Sequence, residues 1–223
     1  MKLLNPGHEI DGFEIEACMH AGGMAHVYKV VYAPAADGSR RASEFPMAMK
    51  IPRMTAGDGA ENIVSFEIEL QILSELKGTH VPRFVAAGDL SRVPYLVMEY
   101  VEGQTLKQWQ LDHPNPTLEQ VRGIIEQLGK GLQALHRSEI LHQDIRPDNL
   151  MVTPQGIVKI IDFGAARLAG LQTDEEVAGD IPGTALYTAP EYFLGLAGTE
   201  LSDLYSLAVL TYQLLSGRYP YGP

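Results

Sequence analysis

The first half of the chain alternates short apolar runs with polar or glycine-rich turns. Several of these runs have the length and apolar content of β-strands, and they lie at 13–17, 27–30, 45–51, 83–88 and 95–99. Between the third and the fourth run, from about residue 61 to residue 77, apolar residues recur at helical spacing. The pattern therefore predicts a small antiparallel sheet accompanied by one helix.

The pattern changes after Val101-Glu102-Gly103, where the strand signals end and helical spacing takes over. Thr117 and Gln120 have the spacing of a capping box. The apolar face of the helix that follows consists of Val121, Ile124, Ile125, Leu128, Leu132 and Leu135. We therefore expect a β-rich domain over residues 1–98, a connection over 99–103 and a helical domain over 104–223.

A last helix is predicted over residues 201–215. Thr199 or Ser202 is expected to begin it, and Gly217 to end it. Because this tract is apolar nearly all round, we expect the helix to be buried.

The stretch from His142 to Gly164 carries the most specific pattern of the chain. Two short apolar runs flank Pro154-Gln155-Gly156, which predicts a β-hairpin. A hairpin folds back on itself, so we expect Asp144, Asn149 and Asp162 to meet at one end of it. Such a set of hard oxygen atoms suits a magnesium ion that is also held by phosphate oxygens.

Lys50 lies in an apolar run and needs a partner if it is buried. Glu69 lies three residues after Phe66 and four before Leu73, so it falls on or beside the apolar face of the predicted helix. We therefore predict an ion pair between Lys50 and Glu69. The alternative is that Glu69, like Glu67, borders the apolar face and is solvated.

Composition limits the function classes further. The formal net charge of −11 argues against binding to nucleic acid or to an anionic membrane, but local groups still allow ATP to bind. The sequence has no signal-peptide core and no apolar run of membrane-spanning length. The single cysteine, Cys18, is expected to be buried or half-buried and fits a reducing compartment. A cytoplasmic protein is the expectation.

The stretch from His142 to Gly164 resembles the catalytic and metal-binding loops of protein kinases. The spacing of His142, Asp144, Asn149 and the Asp162-Phe163-Gly164 triplet carries the resemblance. Residues 183–191, GTALYTAPE, are similar to the substrate segment of serine/threonine kinases. The resemblance is strongest to bacterial kinase domains and covers about residues 10–222. It implies an α+β, bilobal, protein-kinase-like fold.

The resemblance implies a role for each candidate catalytic residue. Asp144 would accept or orient the hydroxyl of a protein serine or threonine, and Arg146 would neutralise the γ-phosphate of ATP. Lys50, paired with Glu69, would hold the α- and β-phosphates. The magnesium ligands would be Asn149 and Asp162.

The nucleotide-binding residues are likewise implied by the resemblance. The glycine loop departs from the family pattern, since His20 and Ala25 stand where glycines are usual. Met98 would be the gatekeeper, and Glu99 and Val101 would hold adenine through their backbone. The remaining residues expected around ATP are Met19, Gly22, Gly23, Val27, Ala48 and Met151.

Two further features of the sequence concern regulation and the extent of the domain. Gln143 replaces the arginine with which many kinases bind a phosphorylated activation loop, so we expect activity without that phosphorylation. Asp203 occupies the place of the family's aspartate that bonds the catalytic-loop backbone. Kinase domains of the family continue through further helices after this last helix, so we expect either that the sequence is a fragment or that a fused or associated domain covers the last helix.

Two other functions remain open at this point. The altered glycine loop and the missing helices favour a pseudokinase, a nucleotide-binding or scaffolding module, whereas the intact Lys50, Glu69, Asp144, Asn149 and Asp162 oppose it. A small-molecule phosphotransferase of the aminoglycoside or choline type shares the loop residues but generally lacks the segment at 183–191.

Overall fold

The computed structural model describes residues 3–22, 25–53, 59–89, 93–169 and 185–221. The chain divides into two compact units. The first contains Met1–Ser74 and Pro82–Val101, and the second contains Glu75–Val81 and Glu102–Pro223. None of the helices among the described residues is both long and apolar enough to cross a bilayer.

The first unit is built on a six-stranded antiparallel sheet with the order β1-β2-β3-β4-β6-β5. The strands are β1 (Glu9–Ile10), β2 (Phe13–Ala21), β3 (Ala25–Tyr32), β4 (Met47–Pro52), β5 (Phe84–Ala87) and β6 (Leu96–Glu99). Its one helix, α1, spans Gly59–Glu75. The predicted sheet and helix are thus confirmed, and the pattern missed only the two-residue strand β1.

Apolar side chains from one face of this sheet form the core of the first unit. Buried members come from four strands and the residue before β6, and they are Phe13, Ile15, Tyr28, Val30, Met47, Met49, Ile51, Tyr95 and Val97. Their alternation along β2, β3 and β4 leaves every second residue to the opposite face. That opposite face carries Lys50.

The second unit is mainly helical. Its helices are α2 (Leu106–Asp112), α3 (Leu118–Arg137), α4 (Pro190–Phe193) and α5 (Glu200–Ser216), with a 3-10 turn at Pro147–Asn149. Its short strands are β7 (Gln104–Thr105), β8 (Ile140–Leu141), β9 (Leu150–Val152), β10 (Val158–Ile160) and β11 (Arg167–Leu168). They pair as β10-β9-β7 and β11-β8.

Helix α3 begins as the sequence predicts. The Thr117 hydroxyl accepts from the Gln120 N–H, and the Gln120 side chain accepts from the Thr117 N–H, so the capping box is complete. Gly131 lies on the buried side, where an added Cβ would come within 3.4 Å of His80 and Ile160. Its lack of a side chain therefore allows α3 to pack closely against β10.

Helix α2 is not predicted by the hydrophobic pattern. Its seven residues place only Leu106 and Trp109 in the core, which is too few to show helical periodicity. The signal that was available is Thr105, whose hydroxyl caps the helix by accepting from the Gln108 N–H.

Helix α5 is capped by Thr199 at its N-terminus and by Gly217, which has a positive φ of 67°, at its C-terminus. The expectation that it is buried all round is wrong. Leu201, Leu204, Tyr212 and Leu215 are 44–71% exposed and share one face, while the opposite face is buried. The sequence did not distinguish the two faces, because both are apolar and apolar residues also occur at protein surfaces. Coverage of this face by a fused or associated domain stays a prediction.

Cys18 is exposed, which corrects the expectation of a buried or half-buried thiol. It lies on the part of β2 where a register irregularity falls between Cys18 and His20. From Cys18 to Ala21 the residues on both faces of β2 are exposed, so the Cys18 thiol does not lie in the core.

Candidate active site

The loop that follows β8 brings Asp144 and Asn149 together. The Asn149 amide nitrogen donates to the Asp144 backbone oxygen at 3.0 Å and to its carboxylate Oδ2 at 2.6 Å. Arg146 Nε lies 3.4 Å from the same Oδ2. Two side chains therefore fix the orientation of the Asp144 carboxylate, which keeps 19% of its side-chain surface exposed to solvent.

The predicted hairpin is present and brings Asp162 back to this loop. Strands β9 and β10 pair with Leu150 opposite Ile160. The Ile161 N–H donates to the Asn149 backbone oxygen at 3.0 Å, directly beyond the last strand pair. Asp162 follows at once, and its Oδ1 accepts from the Gly164 N–H at 3.1 Å. The sequence spacing thus produces the predicted neighbourhood of Asn149 and Asp162.

His142 and Asp203 support the loop from inside. His142 is fully buried, and its ring lies edge-on to Phe163 with the centroids 5.3 Å apart. Burial lowers the pKa of His142, an effect that the carboxylates of Asp203, Asp162 and Asp144 oppose. The Asp203 carboxylate accepts from the backbone N–H groups of His142 at 2.9 Å and Gln143 at 2.8 Å. These contacts confirm the position expected for Asp203.

In the first unit, Lys50 and Glu69 form the predicted ion pair. Lys50 Nζ lies 2.7 Å from both carboxylate oxygens of Glu69. The Glu69 side chain is only 2% exposed and that of Lys50 is 16% exposed, so the pair is shielded from water. Glu67, by contrast, is exposed, and the solvated alternative applies to it and not to Glu69.

The chain matches the family described as the protein kinase domain over residues 18–223. The chain belongs to the protein kinase domain family.

Curated relatives of this kinase domain include bacterial serine/threonine-protein kinases. PrkC of Bacillus subtilis is 31% identical over 220 residues, which cover 96% of this chain and 32% of PrkC. A probable serine/threonine-protein kinase of Clostridium perfringens is 31% identical over 209 residues, 94% of this chain and 29% of the relative. PknA of Corynebacterium glutamicum is 34% identical over 183 residues, 78% of this chain and 38% of PknA. The chain thus spans about a third of the length of these relatives.

The register of the kinase-domain sheet places several of the expected nucleotide residues on one face. Val27 pairs with Lys50, and Ala48 pairs with Met98. Partners in an antiparallel ladder point to the same side, and Ala48 and Lys50 are two residues apart on one strand. Val27, Ala48, Lys50 and Met98 therefore share the face that carries the ion pair.

The other expected nucleotide residues have more varied positions. Met19 falls at the irregularity of β2 and is 45% exposed, so the register does not align it with Val27. The Gly22 N–H donates to the Ala25 oxygen at 3.0 Å.

The Glu99 N–H is paired with the Arg83 oxygen at 2.8 Å, so a backbone contact to adenine has to use the Glu99 carbonyl. Val101 is buried and Met151 lies in β9, half-buried. Gly23 lies outside the described residues.

The sequence pattern did not reveal two contacts that support the loop around Asp144, namely Lys107 with Asp148 and His136 with Asp203. Lys107 Nζ lies 2.9 Å from Asp148 Oδ1, although the two residues are 41 positions apart. His136 Nε2 lies 2.9 Å from Asp203 Oδ2 across 67 positions. No periodicity connects such distant residues. The available signal was that Asp148 lies between Arg146 and Asn149, two recognised loop residues.

The ion pair of the kinase domain yields a direct stability prediction. Replacing Glu69 by glutamine removes the carboxylate that lies 2.7 Å from the half-buried Lys50 ammonium, so the charge of this lysine is less well compensated. We expect the free energy of unfolding to fall by roughly 1–3 kcal/mol. Urea unfolding followed by circular dichroism measures this, with Glu67→Gln on the exposed side of α1 as the matched control. An equal effect of both substitutions would show that the Lys50–Glu69 pair has no special role.

Proposed function

We propose that the chain is the catalytic domain of a serine/threonine protein kinase that uses ATP and magnesium. The observation that carries the proposal is the loop in which Asn149 and Arg146 orient the Asp144 carboxylate beside the end of the hairpin that leads to Asp162. The family match and the names of the relatives support the same activity.

In the proposed reaction, Asp144 orients the hydroxyl of a protein serine or threonine. A bond forms between the hydroxyl oxygen and the γ-phosphorus, the bond to the leaving oxygen of ADP breaks, and the hydroxyl proton passes to the Asp144 carboxylate. Because Asn149 and Arg146 both bind Oδ2, the carboxylate has little freedom to rotate. The Arg146 guanidinium would also offset negative charge that develops on the γ-phosphate.

The residues at the end of the hairpin fit a magnesium ion. The Asn149 amide nitrogen donates to two oxygen acceptors, which assigns the other amide atom as the oxygen and turns it away from Asp144. That oxygen and the Asp162 carboxylate are hard ligands of the kind magnesium prefers. Among the described residues no cluster of three or more His, Cys, Asp or Glu side chains has metal-binding geometry. Phosphate oxygens and water would therefore complete the coordination, and a bound magnesium would neutralise phosphate charge.

Nucleotide binding in this proposal uses the sheet face that carries Lys50. The Lys50 ammonium would hold the α- and β-phosphates, and Glu69 keeps it in place. Val27 and Ala48 supply apolar surface for adenine, and Met98 limits the space behind it. The further contacts proposed are those of Met19, Gly22, Gly23, Glu99, Val101 and Met151.

We further propose that activity does not require phosphorylation of the activation loop. Gln143 is buried, with 6% exposure, and its backbone N–H is bound to Asp203. A buried neutral amide cannot attract a phosphate as an exposed guanidinium does. In the activation segment, residues 162–191, Thr173 and Thr184 lie outside the described residues, whereas Thr188 is buried.

This proposal predicts that dephosphorylation leaves the rate unchanged. Protein treated with a phosphatase, then freed of it, should transfer phosphate within about twofold of the untreated rate because no phosphate-dependent contact is lost. Thr173→Ala is expected to behave in the same way. A tenfold or larger loss in both would show that a loop phosphate is required.

Transfer of labelled phosphate from ATP to a generic protein substrate tests the function itself. We expect labelling of serine and threonine, dependent on magnesium and abolished in Asp162→Ala. A companion thermal or chemical melt distinguishes a pseudokinase. ATP at about 100 times its dissociation constant adds roughly 2.7 kcal/mol of stability. Stabilisation without transfer would establish a nucleotide-binding module in place of the enzyme.

The exposed, free thiol of Cys18 fits a reducing compartment. We therefore propose that this domain acts in the cytoplasm. We also propose that it acts on protein substrates and not on nucleic acid, because its formal net charge is −11.

A further inference from the structure

Lys107 occupies a position that helix stability does not explain. It lies in the first turn of α2, directly after Thr105 and Leu106, and this turn contains no acidic residue. The positive end of the helix dipole disfavours a cation there. Lys107 therefore does not stabilise α2 through the helix dipole.

The contact of Lys107 with Asp148 contributes little to the fold. The two groups are 2.9 Å apart, but their side chains are 63% and 37% exposed. Exposed ion pairs of this kind are weak because water screens them and two long side chains must be ordered. The pair is thus open to exchange with a charged group from solution.

Asp148 connects Lys107 with the proposed catalytic loop. Arg146 Nη1 lies 3.9 Å from Asp148 Oδ2, and Arg146 Nε lies 3.4 Å from Asp144 Oδ2. Positive and negative groups therefore alternate in the order Lys107, Asp148, Arg146 and Asp144. Asp148 lies between two cations, so its charge is compensated on both sides.

Lys107 retains capacity to bind a further acceptor. An ammonium carries three N–H donors, and Asp148 Oδ1 accepts one of them. The Lys107 side chain is 63% exposed, so the remaining donors are within reach of solvent and of a bound peptide. Among the described residues, Lys107 has a single carboxylate neighbour within ion-pair distance. The surface beside the loop therefore offers an exposed positive charge.

Lys107 is also close enough to the loop to contact a substrate. Following the chain of contacts, its Nζ lies within about 15 Å of the Asp144 carboxylate, the span of roughly four extended residues. A peptide that presents a hydroxyl to Asp144 therefore carries neighbouring side chains within reach of Lys107.

We propose that Lys107 determines substrate specificity by binding an Asp or Glu side chain of the protein substrate, within about four residues of the accepting hydroxyl. This inference rests on the proposed kinase function and adds a substrate class to it. The net charge of −11 repels acidic peptides at long range, so a preference for them requires a local cation such as Lys107.

A set of threonine peptides tests the inference with the full chain, ATP and magnesium. Each peptide carries a single Glu, Lys or Ala at one of the four positions before or after the threonine. We expect the wild type to favour Glu over Ala at one or more positions by roughly twofold to fivefold in kcat/KM, and less so at high salt. In Lys107→Glu the preference at those positions should reverse in favour of Lys.

Lys130→Glu is the matched control, because Lys130 is exposed on α3 and the same charge is reversed. It should keep the wild-type ratios. The inference is overturned if Lys107→Glu changes kcat/KM by the same factor for all peptides. It is also overturned if the wild type favours peptides with Lys and Asp148→Asn removes that preference, since Asp148 and not Lys107 would then bind the charged side chain of the substrate. Transfer to no peptide at all would overturn the proposed function together with this inference, whereas transfer without any charge preference overturns the inference alone.

Discussion

Replacing Asp144 by asparagine is expected to lower kcat by about 10²–10⁴-fold. The asparagine retains one oxygen that Asn149 and Arg146 can bind, as they bind Asp144 Oδ2 at 2.6 and 3.4 Å. The loop therefore keeps its shape, while the group that orients the hydroxyl and accepts its proton is lost. Because 19% of the side chain is exposed, we expect the free energy of unfolding to change by less than about 1 kcal/mol.

Steady-state transfer of labelled phosphate measures kcat, and urea unfolding measures the free energy of unfolding. Asp112→Asn makes the same chemical change at an exposed position of α2 and serves as the control. A rate for Asp144→Asn above one-tenth of the wild-type rate would contradict the proposed role of the carboxylate. A large loss of stability would instead assign Asp144 to the support of the loop.

Replacing Asp203 by asparagine is expected to have the largest effect on stability, roughly 3 kcal/mol of unfolding free energy. The Asp203 carboxylate is 1% exposed and accepts from the backbone N–H groups of His142 and Gln143. His136 Nε2 lies 2.9 Å from Oδ2 as well. An asparagine has one oxygen, so its NH₂ group would face one of these donors, and a buried N–H would lose its acceptor.

The same substitution should lower kcat although Asp203 touches neither the hydroxyl nor the phosphate. The two backbone N–H groups that it binds directly precede Asp144, so their release loosens the loop that orients the carboxylate. Glu200→Gln, an exposed change in the first turn of α5, is the control and should alter stability by less than about 0.5 kcal/mol. Rates are compared at a temperature where all variants are folded. A normal unfolding curve for Asp203→Asn would show that the backbone contacts are dispensable.

The local elements of this kinase domain were predictable because their signals lie close together in the sequence. Thr117 and Gln120 are three residues apart, and both hydrogen bonds of the capping box form as the spacing indicates. The hairpin at Pro154-Gln155-Gly156 pairs Leu150 with Ile160, which brings Asp162 back to Asn149. The Lys50–Glu69 pair was also predictable, since a lysine in an apolar run needs a partner if it is buried and Glu69 falls on or beside the apolar face of the predicted helix.

Contacts between distant residues were not predictable from patterns of this kind. Lys107 meets Asp148, and His136 meets Asp203, only because separate elements of the second unit pack together. The exposure of Leu201 and Leu204 on α5 also depends on packing, because the sequence of that helix is apolar on both faces. Cys18 is exposed for the same reason, since its place on β2 lies beyond the core.

The sequence by itself determined the α+β composition, the boundaries of α1, α3, α5 and the hairpin to within a few residues, and the set of loop residues that mark a kinase domain. Short-range hydrogen bonds and hydrophobic periodicity encode these features, and both act within a few residues of one another. The tertiary structure alone decided which charges face each other across elements and which apolar residues remain exposed. Those outcomes depend on the neighbours that folding brings together, and no local pattern contains them.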